Sequence, residues 1–212
     1  MNKLTLALTL ALISIIVSNK AYSQKDTLYF PISIEVNHNA TQLPGSGYLG
    51  FINTPIHPGV TIGTYKSYFA IKKHSLSQTF KLGYMYHQYS HTAFQLTTEL
   101  SYSYAFSESF NINANLGVGN LYSFTDVDAF QLTVDSVYKK KNLYGRSQFT
   151  GGFLLGLNYT IIKESKAPIT LFFNYRFWLQ APFVKQYVPV LPYTTISLGA
   201  IIYIEKNKKN EE

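Results

Sequence analysis

The histidines are the side chains of this chain that could bind a metal or exchange protons near neutral pH. Four of the five lie near the ends of segments with strand-like patterns: His38, His57, His87 and His91. Imidazole is a common ligand of zinc and copper, so these four are weak candidates for a metal site. Apart from His87 and His91, which flank one short turn, no close pair lies on a defined face. We therefore expect solvated loop residues, no metal and no cofactor.

Four charged residues lie on the polar side of the same segments: Glu35, Lys81, Glu99 and Arg176. A turn near residue 90 makes Lys81 and Glu99 near-opposite neighbours on adjacent strands. Buried charges must be paired, because an unpaired one is strongly destabilising. The pattern predicts an internal salt-bridge network, which would act either as a structural plug or as a gate or proton path.

Composition limits the class of protein. Charged residues make up 14% of the 212 residues, against roughly 25% in a typical soluble domain, while aromatic residues reach 16%. Without cysteine, disulfides and thiolate chemistry are excluded. The lysines cluster in predicted turns, a loop and the tail, which favours solvated positions over a nucleic-acid partner.

The N-terminus has the three parts of a secretory signal. Lys3 supplies the positive start, an apolar core runs over 4–17, and Ala21-Tyr22-Ser23 places small residues at the recognition positions. We expect a signal peptide over 1–23 and cleavage before Gln24. The apolar core spans only about 21 Å as a helix, too short to remain as an anchor.

Strand-like alternation dominates the rest of the chain. In 148–162, Phe149, Phe153, Leu155 and Leu157 fall on one face, whereas the other face is mostly small or polar. The predicted strands cover 28–37, 59–70, 78–88, 93–106, 109–122, 148–162, 168–180 and 192–204. Each is long enough to cross a bilayer when tilted.

The connections between these strands differ in length on the two sides of the predicted barrel. With both termini in the periplasm, the connections on that side are short: 71–77, 107–108 and 163–167. Long outer loops are expected at 38–58 and 123–147. Aromatic residues near both strand ends flank an aliphatic band, as two lipid–water interfaces require.

A soluble lipocalin-like binding barrel would also alternate, with its apolar face inside. The lumen of an eight-stranded barrel is only wide enough for side chains. The apolar face here carries too many Phe and Tyr side chains for that volume, whereas the Gly, Ser, Thr and Asn of the other face fit it. We therefore predict an all-β fold, an antiparallel up-and-down transmembrane β-barrel of about eight strands over 24–212.

The chain resembles the small outer-membrane β-barrel superfamily, the eight-stranded OmpA/OmpX-like barrels. The resemblance is carried by the signal, the strand 111–119 with Leu116-Gly117-Val118-Gly119, the last strand 194–204, and the stretch His57 to Gly63. It implies a cell-envelope protein of the outer membrane, porin-like in shape. The family's final strand usually ends the chain with an aromatic residue, whereas here a charged tail, 205–212, follows Tyr203-Ile204.

Some barrels of this type modify lipid A with a rim His and Ser. Candidates here are His87, Ser90 and His91, with Glu99 as the orienting group. However, lipid A deacylases carry His-x-Ser, whereas this chain has His87-Gln88-Tyr89-Ser90. A lipid A-modifying hydrolase or acyltransferase is therefore only an alternative, and we expect no enzyme.

The remaining expectation is a structural or interaction protein, or a narrow gated channel. Its partners are the lipid bilayer and a possible extracellular partner of loop 123–147, in which 130–134 could extend a hairpin above the membrane. We expect a monomer.

Overall fold

The computed structural model describes residues 29–41, 56–87, 91–125, 130–132, 138–140, 145–161, 168–183 and 188–205. The predicted signal, most of loop 38–58, Ser90 and the tail from 206 lie outside the described residues. Ten strands are described: β1 (Tyr29–Thr41), β2 (Pro58–Ile71), β3 (His74–His87), β4 (His91–Ala105), β5 (Phe110–Thr125), β6 (Phe130–Leu132), β7 (Tyr138–Lys140), β8 (Arg146–Ile161), β9 (Ile169–Ala181) and β10 (Leu191–Glu205).

Within the described residues, eight of these strands form one closed antiparallel barrel, in the order β1-β10-β9-β8-β5-β4-β3-β2. The first and last strands close it, with Tyr29 opposite Glu205 and Thr41 opposite Tyr193. This confirms the predicted up-and-down barrel. We call the end that holds Tyr29 and Glu205 the turn end, and the opposite end the loop end.

The strands are longer than the alternation suggested. The predicted turn 71–77 is wrong, because β3 begins at His74 and the turn is Lys72-Lys73, where Lys72 has a φ of 52°. Ser75 and Ser77 belong to the β2–β3 ladder, since small polar residues suit the narrow lumen as well as a turn. Similarly, β5 continues to Thr125 and β8 begins at Arg146, which shortens the predicted loop 123–147.

The outer surface of the barrel is a belt of exposed apolar side chains. Leu116 is 70% exposed and Leu96 63%. The belt also contains exposed residues that the sequence placed at its two borders and centre: Tyr86, Phe94, Tyr122, Phe149, Phe106, Phe110, Tyr159, Leu82, Leu100 and Leu155. Monomeric soluble proteins rarely expose contiguous apolar surface on this scale. The rings therefore face lipid, and the soluble lipocalin-like alternative is wrong.

Closed barrels leave no unpaired strand edge, which is what allows strands to cross hydrocarbon. An antiparallel barrel with an apolar outer band and a polar interior is the architecture of outer-membrane proteins. The chain is an outer-membrane β-barrel.

Among the described residues, no helix is both long and apolar enough to cross a membrane.

Candidate functional site

Four charged side chains lie together inside the barrel at mid-height. Lys81 on β3 lies between two carboxylates, with its Nζ 3.2 Å from Glu99 Oε2 and 3.8 Å from Glu35 Oε1. Arg176 Nε is 3.9 Å from Glu99 Oε1. The structure thus brings together the four charged residues proposed from the sequence. We call them the lumen network.

Neutral polar groups also donate hydrogen bonds to the carboxylates of the lumen network. Asn115 donates to Glu99 Oε2 over 2.9 Å, and Ser197 Oγ donates to Glu35 Oε2 over 3.1 Å. Arg176 Nη1 lies 3.5 Å from Gln95 Oε1. Two cations and two anions make the network neutral overall. Such pairing offsets the cost of enclosing charge in a narrow lumen.

A chain of asparagines leads from the lumen network toward the turn end. Asn158 donates to Asn113 over 2.8 Å, Asn113 to Asn115 over 2.9 Å, and Asn115 to Glu99. Each amide therefore donates toward the carboxylate. This asparagine ladder shares the turn-end half of the lumen with the buried Phe172 ring and with Tyr65 and Tyr203, whose hydroxyls are 3.1 Å apart.

The loop end of the lumen is closed by apolar side chains instead. Trp178 and Tyr193 stack with ring centroids 4.3 Å apart and an interplanar angle of 8°. Trp178 Nε1 donates to Thr195 Oγ1 over 2.8 Å. These rings belong to a buried cluster that we call the aromatic closure: Met85, Ala93, Leu121, Trp178, Leu191 and Tyr193, with Phe183 and Val188 packed against it.

Sequence reasoning missed the aromatic closure. The alternation of 168–180 placed Ile169, Phe173 and Phe177 on the lipid side, and strict parity then puts Trp178 on the lumen side. The signal was therefore present, but Trp178 was assigned to neither face and given no role. Gly152, which is opposite Trp178 on β8, lets the two strands approach closely at this point. A Cβ there would lie 2.6 Å from Trp178 Cα and Cβ.

The space left between the lumen network and the aromatic closure is small. A cavity of about 20 Å³ is lined by residues that include Glu35, Lys81, Gln95, Arg176 and Leu154. That volume is about what one water molecule needs.

Four histidines form a row of stacked rings above the aromatic closure. Ring centroids are 6.1 Å apart for His38 and His57, 3.6 Å for His57 and His87, and 5.8 Å for His87 and His91, with interplanar angles of 5–11°. His57, His87 and His91 are buried, so the expectation of solvated loop residues is wrong for these three. We call the four residues the histidine row.

Burial lowers the pKa of His57, which lies just before β2, to about 4, and the neighbouring His87 and His38 add to the effect. Two unit charges about 4 Å apart repel by about 4 kcal/mol at an effective dielectric constant of about 20. The stacked rings therefore hold together only while most of them are neutral.

The histidine row does not form a metal cage. Among the described residues, no group of three or more His, Asp or Glu side chains could hold a metal ion. Rings stacked face to face direct their nitrogen lone pairs alongside one another instead of toward a common centre.

The proposed hydrolase residues are only partly brought together. His87 and His91 lie in the histidine row, and Ser90 lies outside the described residues. Glu99 is eight residues from His91 along β4, roughly 26 Å at about 3.3 Å per residue, and it is engaged by Lys81 and Arg176. The expectation that Glu99 orients a rim histidine is therefore wrong.

Comparison with solved structures finds small barrels at low sequence identity. Neisserial surface protein A is 12% identical, with a TM-score of 0.45, over 82% of this chain and 96% of that one. The attachment invasion locus protein Ail of Yersinia pestis is 11% identical, with a TM-score of 0.43, over 83% and 98%. The outer membrane enzyme PagL is 11% identical, with a TM-score of 0.45, over 79% and 97%. No protein-family model matches the chain. No curated protein matches it either.

Proposed function

We propose that this chain is an outer-membrane barrel that is closed to solute flow at neutral pH and holds its loop-end segments outside the cell for contact with a partner. The observation that carries the proposal is the filled lumen. In the part of the chain that the structure describes, the asparagine ladder, the lumen network and the aromatic closure follow one another along the barrel, and the cavity beside the lumen network is small. A barrel that conducts nothing acts through its outer surfaces.

The β6–β7 hairpin is the part of the loop end best suited to a partner. Phe130 is opposite Lys140 and Leu132 opposite Tyr138 in a separate two-stranded sheet. Within the described residues, neither strand pairs with a third. Exposed strand edges accept an added strand from another protein. We assign the loop end to the cell exterior because longer connections face outward in such barrels.

Planar-bilayer recording at pH 7 tests the closed lumen. The purified protein, folded in detergent as judged by heat-modifiable gel mobility, is expected to give no steady conductance. Folded protein that produced regular channels at pH 7 would contradict the proposal.

A loop replacement tests the interaction role. Exchange of 130–140 for a short Gly-Ser turn should preserve the heat-modifiable barrel and abolish adhesion of expressing cells to host-cell surfaces. A scrambled 130–140 segment of the same composition is the control for loop length. Unchanged adhesion in both variants would remove the hairpin from the proposal.

A narrow gated channel is the second candidate, favoured by the cavity beside Lys81 and Arg176 at mid-lumen. Rearrangement of the lumen network would have to join this cavity to both ends. We infer no enzymatic role, because the one carboxylate proposed to orient a rim histidine is committed to the lumen network. An altered lipid A profile after deletion of the gene would contradict this. We also propose a monomer, to be checked by sedimentation in detergent.

A further inference from the structure

The histidine row joins strands β1, β3 and β4 and the segment before β2 at the loop end. His38 comes from β1, His57 precedes β2, His87 ends β3 and His91 begins β4. The His57 backbone N–H donates to His38 Nδ1 over 3.1 Å. The row therefore ties four consecutive chain segments together through their rings.

The row also contacts the aromatic closure directly. His87 meets Tyr193 edge to face, with centroids 6.2 Å apart, and His91 lies 6.2 Å from the Phe183 ring. Phe183 belongs to the segment after β9, where Arg146 donates to its carbonyl and Gln148 to that of Pro182. Movement of the row would therefore move the rings that seal the lumen.

The charged side chains of β1, β3 and β4 that lie below the row are paired with partners deeper in the lumen. On β1, the carboxylate of Glu35 lies three residues deeper than His38 and is held by Lys81 and Ser197. Lys81 lies six residues deeper than His87 on β3, and Glu99 lies eight residues deeper than His91 on β4. These two side chains pair with each other. Among the described residues of β10, Tyr193 is the titratable group that faces the row. Asp126, Asp128 and Lys185 lie outside the described residues.

We propose that the histidine row is a proton-binding site that opens the loop end of the lumen in acid. Protons on adjacent stacked rings repel, so the second and third protons bind only if the rings separate. Separation withdraws His87 from Tyr193 and His91 from Phe183 and loosens the aromatic closure. The low pKa of His57, about 4, agrees with a closed state that resists protonation until the pH is well below neutral.

Proton binding here is linked to opening by mass action. If the closed state binds protons more weakly than the open state, lowering the pH must shift the population toward the open state. The inference rests on the closed lumen of the proposed function, since only a closed lumen can be opened by acid.

The test is solvent exchange of the Trp178 indole N–H, followed by NMR on the folded protein at pH 7 and pH 4.5, because this group lies in the aromatic closure and donates to Thr195. The wild type should be protected, hence closed, at pH 7, and at pH 4.5 its indole N–H should exchange at least roughly tenfold faster than that of the double variant at the same pH. The double variant His57→Phe/His87→Phe keeps flat rings without titration and should stay closed at both values. His74, which lies on β3 at the turn end against Tyr102, supplies the matched control: His74→Phe should open in acid as the wild type does.

A wild type that stays closed at pH 4.5 overturns the inference and leaves the proposed function intact. So does a double variant that opens as readily as the wild type. Channels already open at pH 7 overturn the proposed function instead. If the double variant does not fold, NMR titration of ring nitrogens in the wild type replaces it: independent titration of all four rings near pH 6.5 contradicts the proposal, whereas displaced, mutually dependent titration supports it.

Discussion

The asparagine ladder lies in the turn-end half of the lumen, whereas the stacked rings of the aromatic closure lie at the loop end. In the first region, Asn113, Asn115 and Asn158 are fixed by hydrogen bonds that end on Glu99. In the second, Trp178 and Tyr193 are held by stacking and apolar contact. The asparagines are held by directional hydrogen bonds and have few alternative partners, whereas stacked rings can slide apart. The difference indicates that the turn-end half is the fixed part of the plug and the loop end the part that can change.

The largest effect on folding should come from adding a side chain at Gly152, beside the backbone of Trp178 in the aromatic closure. Gly152→Val would force a side chain against the Phe177 carbonyl and the Trp178 backbone, so no heat-modifiable barrel is expected. A Cβ at Gly151, its neighbour on the lipid side, would meet Phe149 Cε1 at 3.6 Å and the Gly117 carbonyl at 3.9 Å, which are ordinary van der Waals distances. Gly151→Val should therefore fold normally on the same gel. Equal folding of both variants would show that the closure is not tightly packed.

The next largest loss of stability should come from removing one charge of the lumen network. Glu99→Gln leaves Lys81 with only one carboxylate and Arg176 with none among its described contacts, and should cost about 3–5 kcal/mol of unfolding free energy. Urea titration in detergent measures it. Glu108→Gln, at an exposed turn residue, is the control and should change stability little. A loss below 1 kcal/mol for Glu99→Gln would mean that the network is solvated.

A smaller effect is expected from Trp178→Phe. This change removes the indole donor to Thr195 Oγ1 and part of the buried side-chain volume. Together these losses should lower the free energy of unfolding by about 2 kcal/mol. The control is Phe177→Leu on the lipid face, where acyl chains can fill the gap. The same urea titration compares the two variants. A larger loss of unfolding free energy for Phe177→Leu would mean that packing on the lipid face contributes more to stability than packing of the aromatic closure.

Between pH 7 and 5.5 the smallest effect should be the pH dependence of stability, which grows at lower pH. His57 has a folded pKa of about 4 against an ordinary value of 6.5, so the unfolded chain binds more protons between these values. Stability should therefore be fully present above pH 6.5 and fall as the pH drops toward 4. Thermal melts at pH 7, 5.5 and 4.5 measure it. His57→Phe should flatten the dependence, and a melting temperature that rose in acid would contradict the sign.

Sequence reasoning predicted the barrel because alternation in strands such as β8 has a period of two, and lipid outside with a narrow lumen inside permits only one orientation. It also named Glu35, Lys81, Glu99 and Arg176, since charges on the lumen side must find partners. The histidine row could not be predicted, because it depends on the shear between strands. Rings separated by up to 53 positions in the chain meet only once the barrel closes.

The chain contains one tryptophan, and it lies in the aromatic closure. Trp178 is fully buried and stacked on Tyr193, so all indole fluorescence of the protein originates at the seal of the lumen. Emission of a buried indole shifts to longer wavelength when water reaches it. The molecule therefore carries an intrinsic optical reporter of whether its loop end is dry.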